Sequence, residues 1–177
     1  LENRLKVIRA IRNWKADLVI THPSDDYHPD HRNTSLLVQD ASYMVIVPNV
    51  APDTPPLKKN PVFLYPGSSS PEIAIGIDAV FDQKIYAMAA HESQFFEWLP
   101  WTNGTLGQVP ADPEGRLKFL AGRFQPVNET VKALLVKWYG GTLGTRVTYA
   151  ETFRTTPYGK KPSEEEIRKL FPMLGTQ

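Results

Sequence analysis

Leu1, Leu5, Ile8 and Ile11 recur at helical spacing with Arg4, Lys6, Arg9, Arg12 and Lys15 between them, so the chain opens in an amphipathic helix with one buried stripe. Residues 17–22 follow as a short apolar run ending in polar residues, the pattern of a buried strand in an α/β unit. Open α/β sheets place their chemistry at such carboxyl ends. Residues 23–32 are dense in Asp, His and Pro and read as a loop. Leu36, Leu37, Ala41, Met44 and Val45 then predict a largely buried helix from Asn33 to about Val47.

Further strands are expected over residues 61–65 and 73–77, separated by a loop that includes residues 66–70 and preceded by a proline-rich surface connection over residues 51–60. Asp78 or Asp82 is placed to cap a helix running through Lys84, Tyr86 and Met88 to His91. Around Phe95, Phe96, Trp98 and Trp101 the aromatic density suggests a plugged core edge or a subunit contact, which leaves a homo-oligomer open. A helix near residues 127–139 should stop at Gly140-Gly141, and Ser163 with Glu166 forms a capping box for a short helix to about Leu170. Strand and helix alternate, so the expected class is an α/β layer fold, with residues 1–177 as a single domain.

Composition narrows the chemistry. Twenty Lys+Arg balance nineteen Asp+Glu, which removes the electrostatic case for a nucleic-acid partner. No apolar run approaches the roughly 18–20 residues of a membrane span, and residues 1–12 lack the order of a signal peptide. With no cysteine, any metal must be held by His and carboxylate, and the composition fits a cytoplasmic protein. Neither a Gly-x-Gly-x-x-Gly after a strand nor a phosphate-binding loop motif occurs, so a nucleotide binder finds no support.

Three of the four histidines, His22, His28 and His31, fall within ten residues that also contain Asp25, Asp26 and Asp30. Imidazole and carboxylate are zinc ligands, and His28 and His31 would face the same way if Pro29 opens a helical turn. The plainer reading of such a segment is a solvated turn.

The string Asp25-Asp26-Tyr27-His28-Pro29-Asp30-His31-Arg32, following a helix and a strand, resembles the second signature of the LmbE/PIG-L-type N-acetylglucosaminyl deacetylases. Lys84 with His91-Glu92-Ser93-Gln94 is similar to that family's later helix motif, and Tyr149-Ala150-Glu151-Thr152-Phe153 to its closing strand. The resemblance implies a Rossmann-like, LmbE-type three-layer α/β fold, of which this chain would be the C-terminal part. It also implies a zinc-dependent hydrolase that removes acetyl from an N-acetylglucosamine-type conjugate.

On that resemblance His31 is a zinc ligand, His28 steadies the charge developing on the substrate carbonyl, and Asp30 orients a histidine from behind. Asp26 and His91 take substrate-side places. The family's first signature, which supplies the other ligands and the carboxylate that accepts the water proton, has no counterpart here. The string Thr21-His22-Pro23-Ser24 reads as the lead-in to the second motif. The expectation is therefore an upstream segment, a single protein ligand on this chain, and no tight zinc binding or amide hydrolysis by this chain alone. The competing expectation is a non-catalytic α/β module that holds a sugar or a partner without turnover.

Overall fold

The computed structural model describes residues 1–67 and 69–174. Ser68, in the loop expected over residues 66–70, lies outside the described residues. The chain divides into two compact units, Leu1–Ala74 with Thr152–Gln177 and Ile75–Glu151.

In the first unit the periodic opening segment forms α1 (Glu2–Asn13), and β1 (Leu18–Ile20) follows after a turn. Ile8 and Ile11 are buried as expected, whereas Leu1 is 84% exposed at the helix start. α2 (Pro29–Met44) begins four residues earlier than the apolar spacing suggested, because Pro29 at its first turn and His28 as its cap set the start. Its Val38, Ala41 and the following Val45 pack with Ile8 and Ile11 of α1 over Phe63. Full burial of a side chain such as Ile8 contributes about 1.5–3 kcal/mol.

β2 (Val62–Pro66) runs parallel to β1, pairing Leu18 with Val62 and Ile20 with Leu64. β3 (Ile73–Gly76) and β4 (Ala150–Thr155) complete a mixed sheet in the order β1-β2-β4-β3, with β4 antiparallel to β2.

Arg12 departs from its expected place among the solvated positions, being only 3% exposed. Its guanidinium donates to the carbonyl oxygens of Met44, Val45, Val47, Val50, Ala51 and Thr54 at 2.7–3.0 Å. These are carbonyls that the end of α2 and the turn after it leave without helical partners. Ala51 and Thr54 are buried around it, so part of the supposed surface connection is wrapped core. Ala51 sits at φ 47, a left-handed conformation costing about 1–2 kcal/mol for a non-glycine residue, which the Arg12 contacts offset.

The second unit is built from α3 (Phe81–Ala89), a π-helical turn Ser93–Trp98, α4 (Leu99–Thr102), α5 (Pro113–Ala121), α6 (Glu129–Tyr139) and α7 (Gly141–Gly144). Its centre is Ile85, Phe96 and Leu120. Neither Asp78 nor Asp82 caps α3. Asp78 instead accepts hydrogen bonds from the backbone N–H groups of Thr148 and Tyr149 at 2.9 and 2.7 Å. Helix α5 was not expected, although Asp112 and Pro113 are its signal: Asp112 accepts from Gly115 N at 2.7 Å and Pro113 opens the first turn.

Gly140 ends α6 at φ 81, as expected of that position. The last helix, α8 (Glu164–Leu170), belongs to the first unit and carries the Ser163–Glu166 capping box in full.

Candidate metal centre

The candidate site begins where β1 ends. Thr21 N donates to Leu64 O, extending the strand pairing by one residue and leaving His22 at the strand's carboxyl end. The loop that follows is held by its own polar groups. Asp26 Oδ1 accepts from His28 N at 2.9 Å, a short-range turn typical of Asp, and Arg32 Nη1 donates to the carbonyls of Asp26 and Tyr27 at 2.8 Å each. His28 Nδ1 accepts from Asp30 N at 3.2 Å, which caps α2 and leaves the neutral ring's proton on Nε2.

Asp26 gathers the group. Its Oδ1 lies 2.9 Å from His31 Nδ1, and its Oδ2 lies 3.9 Å from His22 Nδ1. The His28 backbone N–H first, and then the His31 ring, hold the Asp26 carboxyl below the ordinary carboxylate range, so the carboxylate is ionised and the His31 ring N–H is the donor. The rings of His22 and His31 stack at 3.9 Å with 3° between their planes, and Tyr27 stands edge-on to His31 at 5.7 Å.

One donor atom from each of His22, Asp26 and His31 falls within 4.8 Å of the others. Zinc bonds of about 2.0–2.1 Å at a tetrahedral angle require ligand atoms roughly 3.3 Å apart. With His31 Nδ1–H donating to Asp26 Oδ1, the His31 nitrogen available to a metal is Nε2, and Asp26 Oδ2, 3.9 Å from His22 Nδ1, lies within about an ångström of that spacing. Two imidazoles and one carboxylate are also the donor set of catalytic zinc sites that keep a position open for water. The residues present are of a kind that fits a zinc ion, and the geometry sets His22 and Asp26 beside His31 as further candidate donors.

The residues marked from sequence thus separate. His31 and Asp26 meet, with Asp26 rather than Asp30 as the carboxylate on the His31 ring. His28 adjoins them, its ring 4.8 Å from that of His31. Asp30 points outward, its side chain 87% exposed and its Oδ2 3.9 Å from His28 Nδ1. His91 belongs to the second unit, where it is exposed and lies past the end of α3 rather than on a helix. His22 is the residue that the motif reading set aside. Its signal was its place just past the carboxyl end of β1, a half-buried strand with Ile20 49% exposed rather than the buried one expected.

The other two segments of the resemblance meet within the second unit, where Lys84 Nζ pairs with the Glu151 carboxylate. Burial lowers the Lys84 pKa, and its ammonium lies 5.0 Å from the centre of the Phe124 ring.

No protein-family profile matches the chain. Among solved structures, it is similar to an N,N'-diacetylchitobiose deacetylase from Pyrococcus horikoshii, with 20% identity and a TM-score of 0.56, over 88% of this chain and 51% of that one. It is also similar to the conserved protein TT1542 from Thermus thermophilus, at 24% identity and a TM-score of 0.50, over 92% and 61% of the two chains. GalB, the 4-carboxy-2-hydroxymuconate hydratase from Pseudomonas putida, matches at 16% identity and a TM-score of 0.57, over the same two fractions. This chain therefore spans between half and two thirds of the length of these structures, and at these identities what it shares with them is the α/β fold. Among the described residues no helix is long and apolar enough to cross a membrane.

Proposed function

We propose that this chain carries part of the active centre of a zinc-dependent hydrolase that removes acetyl from an N-acetylglucosamine-type conjugate, with His31, His22 and Asp26 as zinc donors. The observation that carries the reading is the convergence of two imidazoles and an ionised carboxylate at the carboxyl end of β1. The fold alone does not select the reaction, because the similar structures include by name both a deacetylase and a hydratase. The donor set and the likeness to a chitobiose deacetylase together favour amide hydrolysis.

Zinc at such a site supplies Lewis acidity and makes water a nucleophile near neutral pH. The protein's own groups supply the geometry. Asp26 fixes the tautomer and plane of the His31 ring, and the backbone N–H of His28 keeps Asp26 ionised while it does so. His28, with Nδ1 occupied as the helix cap, presents Nε2–H as a donor suited to a carbonyl oxygen gaining negative charge. The carboxylate that accepts the water proton is assigned to polypeptide beyond these 177 residues, in keeping with the greater length of the similar structures. We assign Asp30 a positioning role beside His28, and locate the protein in the cytoplasm.

Dialysis against zinc followed by metal analysis, with acetate release from N,N'-diacetylchitobiose measured on a protein that contains this chain, tests the proposal. One retained zinc per chain together with zinc-dependent acetate release is the expected result. Zinc retention without acetate release would favour the sugar-binding module, and failure to retain zinc would remove the hydrolase reading.

A further inference from the structure

The second unit holds a cavity of about 270 Å³ that the metal centre does not involve. Ala89 and Ala90 at the end of α3, Phe96 in the π-helical turn and Leu117 on α5 give it an apolar lining, and Glu92 and Arg116 add one anion and one cation. Arg116 is held in place: Nε donates to Pro110 O at 3.1 Å, and its guanidinium lies 5.1 Å from the centre of the Phe96 ring. Turns of π-helix are rare and recur at functional sites.

The two charges do not consume one another. Arg116 Nη1 and Glu92 Oε2 are 3.5 Å apart, longer than the 2.7–2.9 Å of a charge-assisted hydrogen bond. Their side chains are 34% and 69% exposed, so both remain open to a third party.

An apolar carboxylate entering this cavity would meet repulsion from Glu92, and an apolar amine would meet it from Arg116. A molecule bearing both charges on one carbon satisfies each, with its apolar tail against Phe96 and Leu117. The volume lies just under the range that takes drug-sized ligands and suits one small molecule. We infer that this cavity binds a free α-amino acid with an apolar side chain, its carboxylate on Arg116 and its ammonium on Glu92.

Calorimetric or NMR titration of the full chain with L-leucine and L-phenylalanine tests the inference, with N-acetyl-L-leucine and L-leucinamide as ligands lacking one charge each. Saturable binding is expected, weakened about tenfold or more by removal of either ligand charge, and by Arg116→Met or Glu92→Gln. In Glu92→Gln the penalty for N-acetylation should shrink, because the lost ammonium no longer has its carboxylate. Equal binding of L-leucine and N-acetyl-L-leucine, or no perturbation of the cavity residues at millimolar amino acid, would overturn it. Should Arg116→Met fail to fold, the exposed Glu92→Gln decides the matter alone.

Discussion

Arg12 and the His22–Asp26–His31 group are both polar clusters of the first unit, and they treat their hydrogen-bonding capacity in opposite ways. Arg12 is buried and spends all three guanidinium nitrogens on six backbone carbonyls. The His22, Asp26 and His31 side chains are 42%, 16% and 33% exposed, share one close contact at 2.9 Å and leave ring nitrogens uncommitted. A polar group that closes a fold is saturated, because each buried orphan costs about 1–3 kcal/mol. One that is to receive a ligand keeps valence in hand.

The largest expected effect breaks the saturated side of this contrast. Arg12→Ala removes the guanidinium from six carbonyls, of which those of Met44, Val45, Val47 and Ala51 keep a backbone N–H donor, and should cost about 1–3 kcal/mol in a urea melt, while Arg12→Lys, which keeps the charge and loses the planar fork, recovers only part of it. A loss as small as that of a surface substitution would mean that water replaces the guanidinium easily.

The open side should respond in metal rather than in stability. His31→Ala and His22→Ala are each expected to weaken zinc binding by more than the roughly 10–100-fold that losing a group behind a ligand costs, read by competition with a chromophoric chelator, with little change in the melt. His28→Ala should retain the metal and, in a protein that turns over, lower kcat by about tenfold or more, since it removes a donor and not a ligand. Loss of zinc in His28→Ala would move that residue into the donor set.

The smallest effect is a pH dependence at the edge of the Arg12 cluster. Hydrogen bonding to Arg9 is the chief cause that holds the Asp53 carboxyl below the usual carboxylate range, with the Arg12 charge assisting. Its folded pKa is depressed, so its stabilisation is fully present above the unfolded value of about 3.9 and is lost as pH falls through the folded one. Asp53→Asn should therefore lower stability slightly at neutrality, where the carboxylate's contribution is fully present, and flatten its fall below about pH 4, so that variant and wild type converge in acid. An equally steep acid limb in the variant would assign that limb to other carboxylates.

Much of the fold could be read along the chain wherever a local signal exists. Ser163 and Glu166 fix the start of α8 through a reciprocal pair three residues apart, and Gly140 ends α6 because its backbone conformation suits glycine. The same kind of signal at Asp112-Pro113 went unread, although it marks α5 as clearly as any cap. In the site, His28 and His31 were legible as neighbours because they flank one helical turn. Which carboxylate meets the His31 ring was not legible, because Asp26 reaches it across a turn while Asp30, one residue away in sequence, lies 3.9 Å from His28.

Spacing along the chain carries the alternation of strand and helix, the end of α6, the start of α8, and the gathering of His and Asp just after β1. These depend on contacts a few residues apart, which spacing encodes. Only the tertiary structure decided that Arg12 is buried, that Asp26 holds His31, and that His22 stacks on the His31 ring. The physical reason is the same in each case. The carbonyls around Arg12 are borne by every residue and leave no mark in a sequence, and the meeting of a strand end with a helix start depends on how β1 and α2 are packed.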